Sequence, residues 1–175
     1  MSSNLPDPFV PTDVDLRDFG YMPLHLERLR RSKAWLIAKR RPELAFYMQN
    51  LWGSSWHELP AGSLEDDDDV LASLAMCDSA KWPQIKEQAM HGWTRCSDGR
   101  LYHKTVAELA LLAWIERLTF RKRSAAGHAK RYGSMFDEEV FDAAIATAER
   151  YLSRLKPSCL KHATGTPQAW QGKGS

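Results

Sequence analysis

The sequence has few cysteines and no long apolar run. Its three cysteines, Cys77, Cys96 and Cys159, are odd in number and widely spaced, which predicts no disulfide framework and is typical of a reducing compartment. No stretch approaches the roughly 20 apolar residues that span a membrane. Residues 1–11 lack the basic start and the apolar core of a signal peptide. We therefore expect a cytoplasmic protein that does not associate with membranes.

Metal-binding motifs are also missing. Cys77, His91, Cys96 and His103 carry suitable ligand atoms but lack the tight Cys-x-x-Cys or His-x-x-x-His spacing of a zinc site. The consecutive aspartates 66–69 point in different directions around a helix, so they do not converge on one ion. Two alternatives stay open for them, the start of a helix, where acids are stabilising, and an acidic face for a partner. The sequence predicts no metal and no cofactor.

Signs of covalent catalysis are equally scarce. Ser54 or Ser55 with His57 is a local pair without a nucleophile elbow or an acid to orient the histidine. The scattered cysteines belong to no catalytic motif. The sequence therefore predicts no catalytic residue and a protein that is not an enzyme.

Charge is abundant but segregated. The 24 basic and 22 acidic residues give a net charge of only +2. Yet every charged residue from 28 to 41 and from 117 to 135 is basic, whereas acids collect at 65–69 and 137–139. Segregated charge creates local fields that the near-neutral total hides, and basic segments of this kind indicate contact with phosphates.

The order of local patterns predicts a mainly α-helical, winged-helix-like fold. Apolar residues recur at helical spacing in 43–56, 70–75 and 81–93, and Ser63 is the predicted cap of the second of these helices. The turn Asp98-Gly99 then lies between alternating apolar and polar residues, as in a β-hairpin. Three helices followed by a hairpin wing form a winged helix, which holds DNA or protein partners.

Composition divides the chain into five segments. Residues 1–23, with four prolines, are predicted to form an extended or disordered arm, and residues 24–122 the winged-helix-like domain, which opens with a helix at 24–38. Residues 123–136 read as a basic, mobile linker. Residues 137–156 are predicted as a C-terminal helix and residues 157–175 as a disordered tail.

A series of motifs within residues 18–120 carries a family resemblance. In order they are Pro23-Leu24, Glu27-Arg28-Leu29, Leu59-Pro60-Ala61-Gly62-Ser63-Leu64, Asp66-Asp67-Asp68, Trp82 and Ser97-Asp98-Gly99-Arg100-Leu101-Tyr102-His103. In this arrangement the chain resembles the YdaU-like family of phage and prophage proteins, a domain of unknown function. Genes of that family are often placed beside DNA replication genes, so the resemblance implies a primosome or other replication-accessory role. It implies no catalytic residue.

DNA binding is the predicted function. A third helix of this fold lies in the major groove and the wing lies over the backbone, where Gln and Lys side chains can contact bases and phosphates. The predicted DNA-binding residues are Lys81, Gln84, Lys86 and Gln88 on the third helix, Arg95, Arg100, His103 and Lys104 on the wing, and Arg121, Lys122, Arg123, Lys130 and Arg131 on the basic segment.

The alternative is a protein-interaction or assembly module without direct DNA contact, such as a replisome organiser or a helicase-loader-like adaptor. Trp35, Trp56, Trp93, Trp114 and Tyr132 lie near predicted helix ends or in polar stretches, where aromatic residues often anchor interfaces. The long helix predicted at 104–122 can also pair between subunits. This hypothesis predicts replication proteins or a second copy of the chain as partners.

Overall fold

A computed structural model describes residues 5–155, which form seven α-helices and three short strands. The elements are α1 Leu26–Arg30, α2 Lys33–Arg40, α3 Glu43–Trp56, β1 Ser63–Leu64, α4 Asp68–Leu74, α5 Trp82–Ala89, β2 Trp93–Arg95, β3 Leu101–His103, α6 Lys104–Tyr132 and α7 Glu138–Leu155. The prediction of a mainly α-helical fold with a β-hairpin is confirmed. The predicted tail lies outside the described residues, as does Lys156 at the end of the predicted C-terminal helix.

The winged-helix-like part consists of α3, α4, α5 and the hairpin β2–β3. The hairpin has the register Trp93↔His103, and Gly99 in its turn has a φ of +81°, a conformation that glycine adopts without strain. A third strand, β1, adds to the other edge of β3 and gives the order β1-β3-β2. Sequence patterns missed β1 because two residues are too few for an alternation to be recognised.

Ser32 divides the helix predicted at 24–38 into α1 and α2. Its hydroxyl donates to the Leu29 carbonyl over 2.7 Å and accepts from the Trp35 backbone N–H over 3.1 Å. The same side chain thus ends one helix and caps the next, as serine commonly does. The prediction of one continuous helix is therefore wrong.

The N-terminal arm belongs to the core. Residues 5–23 contain no helix or strand, yet Val10, Val14 and Leu16 are at most 1% exposed. Its backbone is held by hydrogen bonds from Ala61 N–H to the Val14 carbonyl and from Ser97 N–H to the Pro6 carbonyl, both 2.9 Å. Of the two alternatives predicted for the arm, extended or disordered, disorder is wrong for residues 5–23, because three buried side chains and these hydrogen bonds hold the backbone in place.

Helix α6 continues through most of the predicted linker. It ends at Gly133, which has a φ of +66° and whose N–H bonds to the Ala129 carbonyl. Helix α7 then folds back, and the Lys122 ammonium lies 2.7 Å from both Glu138 and Asp142. The linker prediction is wrong for residues 123–132, because the small residues there are mostly alanines, which favour helix.

The core lies between α3, the sheet, the N-terminal half of α6 and the arm. Its largest fully buried side chains include Trp56, Trp82 and Tyr102. Trp56 is 0% and Trp114 6% exposed, so both fill the core and neither anchors an interface. No helix among residues 5–155 is both long and apolar enough to cross a membrane.

Candidate nucleic-acid interface

The acidic cluster, residues 65–69, contains the N-cap of helix α4. The Asp67 carboxylate accepts hydrogen bonds from the Asp69 and Val70 N–H groups at 2.9 and 3.0 Å and so caps α4. Ser63, the predicted cap, lies in β1 instead, and its hydroxyl donates to the Pro60 carbonyl. The helix-start interpretation of the cluster holds for Asp67.

Two further acids of this cluster pair with predicted DNA-binding cations. Asp68 lies 2.6 Å from the Lys86 ammonium on α5, and Asp66 lies 3.2 Å from the Arg95 guanidinium on the wing. The Lys86 ammonium, with the Trp82 indole N–H, lowers the pKa of Asp68 below its usual value. A phosphate that approaches Lys86 or Arg95 must therefore compete with a carboxylate already in place.

Within residues 5–155, no three His, Cys, Asp or Glu side chains are placed to hold a metal ion together.

The remaining predicted residues of α5 differ in accessibility. Lys81 donates to the Tyr47 hydroxyl over 3.2 Å and its ammonium lies 5.4 Å from the Tyr47 ring centre, which raises the lysine's pKa. Gln88 accepts from Arg41 over 3.0 Å. Gln84 is exposed. Helix α5 therefore presents few donors that are free to contact a base.

Arg100 on the wing is a structural residue. Its guanidinium donates to Ser63 Oγ at 2.8 Å and to Glu58 at 2.9 Å, which joins β3 to the loop before β1. The neighbouring Tyr102 hydroxyl donates to Asp98 over 2.7 Å and so ties the turn to β3. The DNA contact predicted for Arg100 would compete with these two internal bonds.

His103 ends β3 and caps α6. Its ring packs against Trp52 and Trp93, with ring centres 5.6 and 5.4 Å apart, and Nδ1 accepts from the Val106 N–H at 3.4 Å. Burial, together with the nearby His91 and Arg28, lowers the pKa of His103 to about 4. The ring is therefore neutral at pH 7, so in the DNA contact predicted for it His103 would bring no positive charge. Lys104 next to it is exposed.

Gly92 gives His103 the space that it occupies. Gly92 has a φ of +89°, and a Cβ there would lie 2.9 Å from His103 Nε2. We expect Gly92→Ala to lower the free energy of unfolding by about 1–3 kcal/mol, through backbone strain and displacement of the histidine. Urea denaturation measures this loss.

Gly99→Ala is the matched control for Gly92→Ala. Gly99 has a similar φ of +81° but would place its Cβ in open space. The control therefore carries the backbone strain without the steric clash. Equal losses in the two variants would contradict a role for Gly92 in making room for His103.

The C-terminal half of α6 carries a second set of predicted cations. Lys122 joins α6 to α7 through its two carboxylate partners, so the DNA contact predicted for it would compete with both. The other four, Arg121, Arg123, Lys130 and Arg131, are exposed, and none forms a salt bridge with a carboxylate of residues 5–155. Arg123 and Lys130 are seven residues apart and share one face of the helix.

One protein-family model matches this sequence. A family model described as a protein of unknown function, DUF1376, matches residues 20–110, just over half of the 175 residues. The chain belongs to the DUF1376 family. No match was found among curated proteins or among solved structures.

The DUF1376 segment covers only part of the candidate interface. It extends from just before α1 into the N-terminal half of α6, and so includes α5 and the wing. The four exposed cations at 121–131 and all of α7 lie beyond it. The part of the candidate interface that is least neutralised by acids therefore lies outside the matched segment, and only its run of basic residues indicates it in the sequence.

Proposed function

We propose that this DUF1376 protein is a non-enzymatic DNA-binding protein that holds the phosphate backbone with the C-terminal half of α6. One observation carries the proposal: Arg121, Arg123, Lys130 and Arg131 project from one regular helix, exposed and without a salt bridge to residues 5–155. Cations that are not already paired contribute most to DNA affinity because they release counterions from the phosphates.

The geometry of α6 suits a backbone contact. Arg121 and Arg131 are ten residues apart, which corresponds to about 15 Å along a helix, and phosphates follow each other along a DNA strand about every 3.4 Å of axis. Helix α7 packs against α6, and Lys122 joins the two helices through Glu138 and Asp142, so the start of the basic segment is braced. At 100° per residue, Arg123, Lys130 and Arg131 lie on one side of the helix, and Arg121 lies opposite Lys130. One DNA backbone can therefore contact three of the four cations without movement of the winged-helix-like part.

Helix α5 and the wing have a smaller share in this proposal. Lys86 and Arg95 approach DNA only if Asp68 and Asp66 give them up, whereas Gln84 and Lys104 are exposed. With few free donors for base edges, we infer weak sequence selectivity. The resemblance to the YdaU-like phage and prophage family supports a replication-accessory role for this binding in the cytoplasm, such as a part of a primosome.

Fluorescence anisotropy with labelled duplex and single-stranded DNA tests the proposal. For three phosphates on duplex DNA we expect a log–log salt slope of about −2.7, or roughly a 40-fold loss of affinity between 50 and 200 mM salt. Changing Arg121, Arg123, Lys130 and Arg131 together to Gln should weaken binding at 50 mM salt by about tenfold or more and flatten the slope.

The control for this experiment removes the same charge elsewhere. Arg17, Arg31, Arg150 and Arg154 are exposed residues of the arm, of the turn after α1 and of α7, and their joint change to Gln lowers the net charge equally. The proposal predicts that this variant keeps most of the affinity. Equal losses in both variants would indicate binding by net charge alone, and no binding of the wild type at 50 mM salt would exclude the proposal.

An assembly function is the second candidate, and exposed aromatic residues on the same helix favour it. Phe120 is 70% and Tyr132 67% exposed, and Val140 on α7 is 62% exposed. Large apolar groups left in solvent are typical of interfaces. Sedimentation velocity on the wild type and on Phe120→Ser with Tyr132→Ser measures this directly. A dimer that the double variant loses, together with no DNA binding, would place assembly first.

A further inference from the structure

A cavity of about 390 Å³ lies between α1, α2, the wing and the start of α6. About half of its lining residues are apolar, among them Met22, Leu29, Trp52 and Leu109, and most of the others are basic or hydroxyl-bearing. All lining residues except Phe9 fall within the DUF1376 segment. The volume is in the range of small-ligand sites, which combine an apolar wall with a few polar groups.

The charges around the cavity have one sign. Arg28, Lys33 and Lys104 line it together with three histidines, and no carboxylate is among the lining residues. Arg28 is paired with Glu108 over 2.8 Å, but neither lysine forms a salt bridge within residues 5–155. A concave, partly apolar site lined by positive charges and without carboxylates concentrates anions.

A buried hydrogen-bond donor without a partner also lines the cavity. Trp52 is 5% exposed, and its indole N–H has no hydrogen-bond partner among the described residues. His103 Nδ1 accepts from Val106, so the proton of the neutral ring is on Nε2. The first turn of the 29-residue α6 completes the wall with its N–H groups. Buried donors without partners are costly, and a ligand rich in acceptors would satisfy them.

We propose that this cavity binds a small organic anion, a flat apolar body bearing one acidic group, with the body against Trp52 and the anion between Lys33 and Lys104. Residues 156–175 of the same chain are a poor fit, because they include three lysines and no acidic side chain. The proposal is independent of the DNA contact on α6. It assigns the DUF1376 segment a ligand site of its own.

Two dyes of nearly the same shape test the proposal. 8-Anilinonaphthalene-1-sulfonate carries an anionic group, and N-phenyl-1-naphthylamine is the same ring system without it. We expect saturable fluorescence with the sulfonate at one site, and binding about tenfold weaker for the uncharged dye. Lys33→Met with Lys104→Met should remove this preference. Thr105→Phe, which fills the cavity, should weaken the binding of both dyes.

Lys39→Met with Arg150→Met is the matched control. Both residues are exposed, outside the cavity, and their loss changes the net charge equally. Unchanged sulfonate binding in this control, with loss in the cavity variants, supports the site. Equal binding by all variants would locate the dye elsewhere, and no saturable binding would overturn the proposal. Lys33 and Lys104 both lie at the surface, so the comparison of their double variant with the control does not depend on the folding of Thr105→Phe.

Discussion

Leu16→Ala is expected to lower the free energy of unfolding by about 2–5 kcal/mol, the range for a fully buried leucine truncated to alanine. Leu16 is 0% exposed and belongs to the same core cluster as Trp56. Leu16 lies in the proline-containing arm. If the arm were disordered, this substitution would not change the free energy of unfolding. Urea denaturation at pH 7, followed by tryptophan fluorescence, gives the difference in stability between variant and wild type.

Thr12→Ala is the control from the same arm. Thr12 is exposed, so its substitution is expected to change stability by no more than about 0.5 kcal/mol. If Leu16→Ala behaved like Thr12→Ala, the arm would not be part of the folded core in solution. A large loss at Leu16 alone would establish that residues before α1 stabilise the domain.

Acid is expected to destabilise the protein through His103. The folded state lowers the pKa of this histidine from 6.5 to about 4 by burying its ring between two tryptophans. The unfolded state therefore binds more protons between these two values. Stability from this group is fully present above pH 6.5 and is lost as the pH falls toward 4, by at most about 3 kcal/mol.

Comparison with His103→Asn isolates this contribution from that of the carboxylates. Asparagine does not titrate, yet its carbonyl can still cap the first turn of α6. The variant is expected to lose less stability than the wild type between pH 7 and pH 4, as measured by urea denaturation at several pH values. His128→Asn, at an exposed position on α6, shows the effect of removing a histidine from the surface. Parallel pH curves for wild type and His103→Asn would contradict the interpretation.

The order of the winged-helix-like elements could be predicted because each depends on neighbours in sequence. The apolar spacing of α3 and α5 and the turn Asp98-Gly99 are local patterns, and the structure has the corresponding helices and hairpin. Element ends were less predictable. The hydroxyl of Ser32 can cap a helix or lie within one, and only the packing of α1 and α2 decides between them.

The candidate sites depend on contacts between residues far apart in the chain. Arg100 and Glu58 are 42 residues apart, and Arg28 and Glu108 are 80 apart, so no local pattern indicates that these charges are paired. Eleven of the thirteen predicted DNA-binding residues are Lys, Arg or His, and the other two are glutamines. Tertiary structure decided which of those charges are neutralised, and it left the cations at 121, 123, 130 and 131 exposed.

The sequence by itself determined the mainly helical class, the hairpin and the segregation of charge, because these follow from residue type and short-range periodicity. Only the tertiary structure placed the arm in the core, paired the acidic cluster with Lys86 and Arg95, and formed a cavity lined by cations without a carboxylate. The physical reason is that burial and ion pairing depend on distances in space. Those distances are set by how the helices pack, and a linear pattern does not contain them.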